Sequence, residues 1–312
     1  MKGVRAVTDL RTTIASVALA NPVMTASGTA GHGTELCAYG DLAELGAVVV
    51  KSVSADPWPG NPAPRVHEVA AGMLNSVGLQ GPGMARWLAE DLPALGAAGA
   101  RVVASIWGRT VRDFGRAAEL LGARVGPGSP LVAVEVNVSC PNVEDRSAMF
   151  AHSPSATAAA VGAAECGLAR WAKLSPNVTD LTAIATAALD AGAETLTLVN
   201  TLMGLALDVE RRRPLLGAGG GGLSGPALHP VAVRAVWECR RAFPDAGIVG
   251  VGGVMTGVDA LELLMAGADA VQVGTATFLD PRAPWRVLAD IEQWCAEHGV
   301  GAVAELVGAA HD

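Results

Sequence analysis

The chain has 312 residues and a formal net charge of -8, with 51% hydrophobic, 17% charged and only 4% aromatic residues. That composition excludes general disorder, and it argues against a nucleic-acid surface because the densest basic cluster, Arg211-Arg-Arg213, is too short to be a basic domain. What remains is a chain long enough to bury a sizeable core of Ala, Val and Leu, which directs attention to a small-molecule site.

At the N-terminus, Met1-Lys-Gly-Val-Arg5 lacks the apolar segment of a signal peptide, and no uninterrupted apolar stretch reaches a membrane-spanning length. The expectation is a cytoplasmic protein with no membrane partner. Thr12-Thr-Ile and Val17-Ala-Leu predict a small hairpin that closes one end of the fold. Beyond them one pattern recurs, a helical segment, a Gly-Ala step and a short apolar run: Leu45-Gly46-Ala47, Ala98-Gly99-Ala100, Ala191-Gly192-Ala193 and Ala266-Gly267-Ala268. Glycine supplies the left-handed turn that ends a helix, and the run that follows fits a parallel strand buried on both faces.

This grammar predicts eight strands, near Val23 to Ala26, Ala47 to Val53, Val102 to Trp107, Leu131 to Ser139, Trp171 to Ser175, Thr195 to Thr201, Ile248 to Gly252 and Ala270 to Thr275. Helices are expected over Val111 to Leu121, Ala156 to Ala169, Asp180 to Ala191, Val231 to Ala242, Val258 to Ala266 and Pro284 to Glu297. Eight strands alternating with helices, with no linker between them, predict one (β/α)8 barrel, a TIM barrel, over residues 1–312. Three longer segments, Asp56 to Gly83, Val143 to Ser155 and Leu202 to Pro226, follow strands on the face where barrel active sites form, and are expected to be functional loops.

The strand ends carry the chemistry. They offer Ser27-Gly28, Lys51-Ser52, Ser105, Asn137 with Cys140, Lys173, Asn200-Thr201, Gly252-Gly253 and Gly274-Thr275. Singly, these are solvated lysines and turn glycines. Together, glycine turns after the last two strands suit a phosphate held by backbone N–H groups and helix starts, and two lysines in an apolar mouth suit electron-rich heteroatoms. In Val134-Glu-Val-Asn137-Val-Ser-Cys140-Pro-Asn142 an alternating strand ends in amides, a thiol and a proline. Cys140 by itself reads equally as a small buried hydrophobe. The five cysteines (Cys37, Cys140, Cys166, Cys239, Cys295) are scattered and form no C-x-x-C pair, which argues against a disulfide framework, a zinc site or an iron–sulfur cluster held by this chain.

These residues are similar to class 1 dihydroorotate dehydrogenases almost end to end, from Asn21-Pro-Val-Met-Thr-Ala-Ser-Gly28 to Val273-Gly-Thr-Ala-Thr-Phe-Leu-Asp-Pro281. The most specific stretches are Gly60-Asn-Pro-Ala-Pro-Arg65, Met73-Leu-Asn-Ser-Val-Gly-Leu79, Asn137-Val-Ser-Cys-Pro-Asn142, Lys173-Leu-Ser-Pro-Asn177 and Gly222-Leu-Ser-Gly-Pro226. The resemblance implies an FMN-containing barrel that oxidises (S)-dihydroorotate to orotate in pyrimidine biosynthesis. It makes Cys140 the base, with thiolate favoured by nearby cations. Lys51, Asn75, Ser76, Val77, Gly78, Leu79, Asn137, Asn142, Asn200 and Thr201 would hold substrate. Ser27, Lys51, Ser52, Ser105, Asn137, Lys173, Val199, Gly225, Gly252, Gly253, Gly274 and Thr275 would contact FMN.

Cysteine at 140 and the absence of a membrane-associating extension separate the chain from class 2. Met73 to Gln80 and Gly222 to Ala227 resemble class 1B, whose barrel subunit passes electrons to a separate FAD and iron–sulfur subunit and on to NAD. The expected assembly is a homodimer, or a heterotetramer with that partner. The alternatives are a fumarate-dependent class 1A enzyme and a dihydropyrimidine dehydrogenase-type barrel; the latter typically has histidine where Asn142 stands. A flavin-binding barrel without catalysis is a third. The chain departs from its relatives at Ser105 and Gly81, where asparagine is common, and in the loop Val143-Glu-Asp-Arg-Ser-Ala-Met149, which lacks the usual glycine pair and implies a lid that closes differently.

Overall fold

The computed structural model describes residues 8–140 and 149–311. Its centre is an eight-stranded parallel sheet of β1 (Val23–Thr25), β2 (Val48–Val49), β3 (Val102–Ile106), β4 (Leu131–Asn137), β5 (Ala169–Lys173), β6 (Thr195–Leu198), β7 (Gly247–Val251) and β8 (Ala270–Val273). From β2 to β8 each strand pairs with its sequence neighbour, and β8 returns to β1, so the order is that of a (β/α)8 barrel.

Side-chain alternation along these strands sorts residues between two environments. In β4, Val134 and Val136 pack outward into the helical layer, while Ala133, Glu135 and Asn137 point into the barrel. The inward residues form layers. The lowest is apolar, made of Val103, Ala133, Trp171, Val249 and Ala270, and is plugged by Ile14, Val17 and Leu19 of the antiparallel hairpin Thr12–Ile14 and Val17–Leu19. The layer above it is polar: Ser105, Glu135, Lys173 and Gln272 are all buried. The strand registers put Ser105 opposite Glu135 and Asn137 opposite Lys173.

The surrounding helices include α1 (Met84–Ala89), α2 (Asp91–Ala97), α3 (Val111–Gly122), α4 (Pro154–Ala163), α5 (Leu181–Asp190), α6 (His229–Ala242), α7 (Gly257–Met265), the short α8 (Ala276–Leu279) and α9 (Ala283–His298). Their starts follow side-chain chemistry. Thr110 with Asp113 and Thr256 with Asp259 form capping boxes, and Ser153 and Asp180 accept backbone N–H groups of α4 and α5. The helix expected to run to Ala169 stops at Ala163, because Gly167 turns at φ +80° and Ala169 already belongs to β5.

Three of the four Gly-Ala steps behave as expected, with positive φ at Gly99, Gly192 and Gly267. Gly46 does not. Only a 3-10 turn, Leu42–Glu44, precedes it, and a Cβ there would lie 2.3 Å from the Asn21 carbonyl oxygen, so glycine serves close approach. Two of the three presumed loops contain strands. Val66–Val69 pairs with Gly72–Asn75, which pairs with Gly221–Ser224 and through it with Leu202–Gly204, in a four-stranded antiparallel sheet across the barrel mouth. Gly72-Met-Leu-Asn75 finds one partner next to it, in Val66–Val69, and the other about 150 residues away, and the chain pattern alone does not announce the distant pairing. No described helix is long and apolar enough to cross a membrane.

The barrel closes between β1 and β2 with a single bridge, Met24 to Ala47, so side chains reinforce the seam. Asn21 donates to the Glu44 carbonyl at 2.7 Å and accepts from the N–H groups of Val23 and Gly46 at 3.1 Å each. Asn21→Ala is expected to lower unfolding free energy by about 2–4 kcal/mol, since it strips partners from buried backbone groups. Denaturant titration checks this, and a loss below about 0.5 kcal/mol, the range of an ordinary surface change, would show that the seam does not depend on Asn21.

Candidate active site

A cavity of about 590 Å³ opens where the strands end, between the barrel mouth and the four-stranded sheet. Ser27, Lys51, Ser52, Asn137, Lys173, Val199, Asn200, Thr201, Gly252, Gly253, Gly274 and Thr275 line it from the strand ends, and Asn75 to Leu79 and Gly225 line it from above. Residues expected to share one site therefore meet there, drawn from every barrel strand end except that of β3, which contributes Trp107 and Arg109 instead. Two of the expected residues stand apart from it. Ser105 and Cys140 do not line the cavity. Asn142 and the loop from Val143 to Ala148 lie outside the described residues.

Ser105 is fully buried beneath Ser52, its hydroxyl 2.9 Å from the Ser52 hydroxyl and donating to Glu135 Oε1 at 3.2 Å. It supports the floor instead of contacting a ligand. Cys140 is also fully buried, with its thiol directed at the carbonyls of Gly108 (3.0 Å) and Asn137 (3.3 Å). Burial, opposed by backbone hydrogen bonding of Gly108 and of Cys140 itself and reinforced by the charge of Asp113, pushes the thiol up to about 12. Among the described residues no cation acts on it, and in this position the residue is a neutral thiol.

The polar residues of the floor form one chain of contacts. Lys173 Nζ donates to Ser27 Oγ at 2.9 Å and lies 3.8 Å from Glu135 Oε1. Gln272 donates to Glu135 Oε2 at 2.9 Å. Asn137 donates to Ser52 at 3.2 Å and receives the Asn200 amide at 3.2 Å. Asn177 fixes the strand end beside it by donating to the Thr201 carbonyl at 2.8 Å. Glu135, Gln272 and Asn177 were not among the sequence candidates. A carboxylate within Val134-Glu-Val and an amide within Val271-Gln-Val, both in strands buried on two faces, were the available signals.

On the opposite wall Lys51 is half-buried, and burial followed by repulsion from Arg65 draws its pKa below that of an exposed lysine. The backbone at Gly78 and Leu79 turns left-handed, φ +73° and +60°, which is costly for leucine. Their N–H groups donate to no acceptor among the described residues. Asn61 steadies this segment through Ser76 Oγ at 2.9 Å. At Gly81, a Cβ would come within 3.3 Å of His32 Nε2, so the histidine ring occupies the space beside this glycine. Arg109 stacks over the Trp58 ring at 4.8 Å at the cavity edge.

At the far end the N–H groups of Gly225, Gly253 and Thr275 also lack acceptors among the described residues, and a Cβ at Gly253 would lie 2.6 Å from that of His229. Free N–H groups in turns that line the cavity fit a phosphate. The start of α7 does not contribute, because Asp259 already accepts the N–H groups of Met255 and Thr256. With the lysines, amides and hydroxyls beyond it, this donor set fits a planar cofactor that carries a phosphate.

A family model for dihydroorotate dehydrogenase matches residues 9–294. The dihydroorotate dehydrogenase B (NAD(+)) catalytic subunit of Desulforudis audaxviator is 50% identical over 300 residues, covering 96% of both chains. Those of Geotalea daltonii and Geobacter sp. strain M21 are 46% and 44% identical, each covering 96% of this chain and 98% of the relative.

The buried thiol gives a direct test. Iodoacetamide is expected to modify exposed Cys37 well before Cys140 at about pH 8, with the Cys140 rate still rising roughly tenfold per pH unit at about pH 9. Mass-spectrometric mapping of the two sites checks this, and equal rates would contradict the described position of the thiol.

Proposed function

The chain belongs to the dihydroorotate dehydrogenase family, and from that premise we propose that it is the catalytic subunit of an FMN-dependent enzyme that oxidises dihydroorotate to orotate and delivers the electrons to NAD through a partner subunit. It is a flavin-dependent oxidoreductase of pyrimidine biosynthesis. The observation that carries the finer reading is the one cavity into which β2 and β5 each send a lysine, β4 and β6 send amides, and the turns after β7 and β8 present glycine N–H groups.

FMN, when bound, accepts the hydride. This chain's residues do the rest. Gly225, Gly253 and Thr275 offer N–H groups for its phosphate, and Lys173, Ser27 and Ser52 present polar groups to its ring. Lys51 and the N–H groups of Gly78 and Leu79 hold the carboxylate and carbonyl oxygens of the substrate, while Asn75, Asn137, Asn200 and Thr201 match its amide edges. Asn137 suits this because its own amide is held on both sides, by Ser52 and Asn200, and cannot turn away.

Cys140 is the proposed base. It takes a proton from the carbon next to a substrate carbonyl as hydride leaves the neighbouring carbon. To do so the thiol exchanges its contacts with the Gly108 and Asn137 carbonyls for a place over the cavity, because in its buried position it is neutral and out of reach. The structure supports the scaffold of the site directly, and the base through its neighbour: Ser139, one residue before Cys140, lines the cavity.

The purified chain is expected to oxidise dihydroorotate and not dihydrouracil, and to use NAD only when co-expressed with its partner. Cys140→Ala should retain flavin and lose about 10²–10⁴-fold in turnover at neutral pH. Turnover with fumarate by the chain alone would favour the class 1A reading, turnover of dihydrouracil alone would replace the substrate, and unchanged activity of Cys140→Ala would remove the cysteine from the mechanism.

A further inference from the structure

Glu135 is fully buried within the barrel, and the role proposed for the cavity does not use it. A carboxylate there is costly unless paired and hydrogen-bonded. Both oxygens are engaged: Oε1 accepts from Ser105 at 3.2 Å and Oε2 accepts from Gln272 at 2.9 Å. The carboxylate is thereby a fixed charge, held from β3 on one side and β8 on the other. The nearest cation among the described residues is Lys173, whose ammonium lies 3.8 Å from Oε1, an ion-pair separation too long for a hydrogen bond. Lys173 donates instead to Ser27 and borders the cavity. Its charge thus stands between a buried anion below and a ligand space above.

We propose that Glu135 is a positioning residue that, from beneath the floor, fixes Lys173 and partly balances its charge, and so sets how strongly positive the site is where the flavin ring lies. Ser105 and Gln272 serve the same device by holding the carboxylate. This rests on the reading of the cavity as the flavin site.

The test compares the two-electron midpoint potential of bound flavin in wild type, Glu135→Gln, Lys173→Met and the double variant. Gln keeps the size of the side chain and removes its charge, with one of the two accepting oxygens replaced by a donating NH2 group. With its balance removed, Lys173 makes the site more positive and favours the reduced, more negative flavin. The expected shift in Glu135→Gln is at least fivefold toward the reduced form, about 20 mV for two electrons. In the Lys173→Met background the same substitution should produce less than half of that fold-change on a logarithmic scale, because Glu135 acts through the lysine.

A smaller shift, a shift toward the oxidised form, or equal effects in both backgrounds would overturn the proposal. Glu135→Asp guards against a variant that fails to retain flavin. It keeps the charge but withdraws it from Lys173, and should shift the equilibrium at least twofold in the same direction; no shift would overturn the proposal equally. A wild-type chain without flavin, or one whose flavin potential ignores Lys173→Met, would remove the cavity reading itself. A flavin that responds to Lys173→Met but not to the Glu135 variants removes this inference alone.

Discussion

A carboxylate and an ammonium side by side in the middle of a barrel are the constraint around which the upper half of this protein is arranged. Glu135 and Lys173 are both buried, and neither would be tolerated there without partners. The partners come from Ser105, Gln272 and Ser27, so the charges bind together the ends of β3, β4, β5 and β8 and the turn after β1. Below them the barrel is closed by apolar packing around Trp171 and the N-terminal hairpin. Above them it opens into the cavity. The polar layer is therefore both the lid of the hydrophobic core and the floor of the site.

The roof has a different physical origin. Its four antiparallel strands are short and glycine-rich, and the glycines permit approaches that a side chain would block. A Cβ at Gly222 would lie 2.0 Å from the Thr201 hydroxyl, and one at Gly72 would lie 2.0 Å from the Ser224 carbonyl oxygen. This packing brings the segment with left-handed Gly78 and Leu79 over the strand ends, so that it lines the same cavity as Asn137 and Asn200. Precise placement of donors, more than any single reactive group, is what the fold supplies.

Much of this was legible in the sequence because barrel strands and helix caps are local. All eight strands and the polar residues at their ends follow from short apolar runs and the residues that stop them. The roof was not legible, since the hairpin of Val66–Val69 and Gly72–Asn75 grows into a sheet only by pairing Gly72–Asn75 with Gly221–Ser224, which in turn pairs with Leu202–Gly204. Glu135 stood in plain view, but the sequence does not say whether a charge in a strand faces a partner or solvent. Cys140 shows the converse. Its position at a strand end and its family resemblance point to chemistry, while the side chain packs against the carbonyls of Gly108 and Asn137, a placement that the sequence does not show.

The central claim is that one cavity holds flavin and dihydroorotate together, and anaerobic reduction tests it without any electron acceptor. The flavin-loaded chain mixed with dihydroorotate should lose its visible flavin absorbance while forming one orotate per flavin reduced, and a Lys51→Met variant should slow that bleaching while still carrying flavin. A flavin that stays oxidised in the presence of dihydroorotate, or that is reduced equally well without Lys51, would contradict the account.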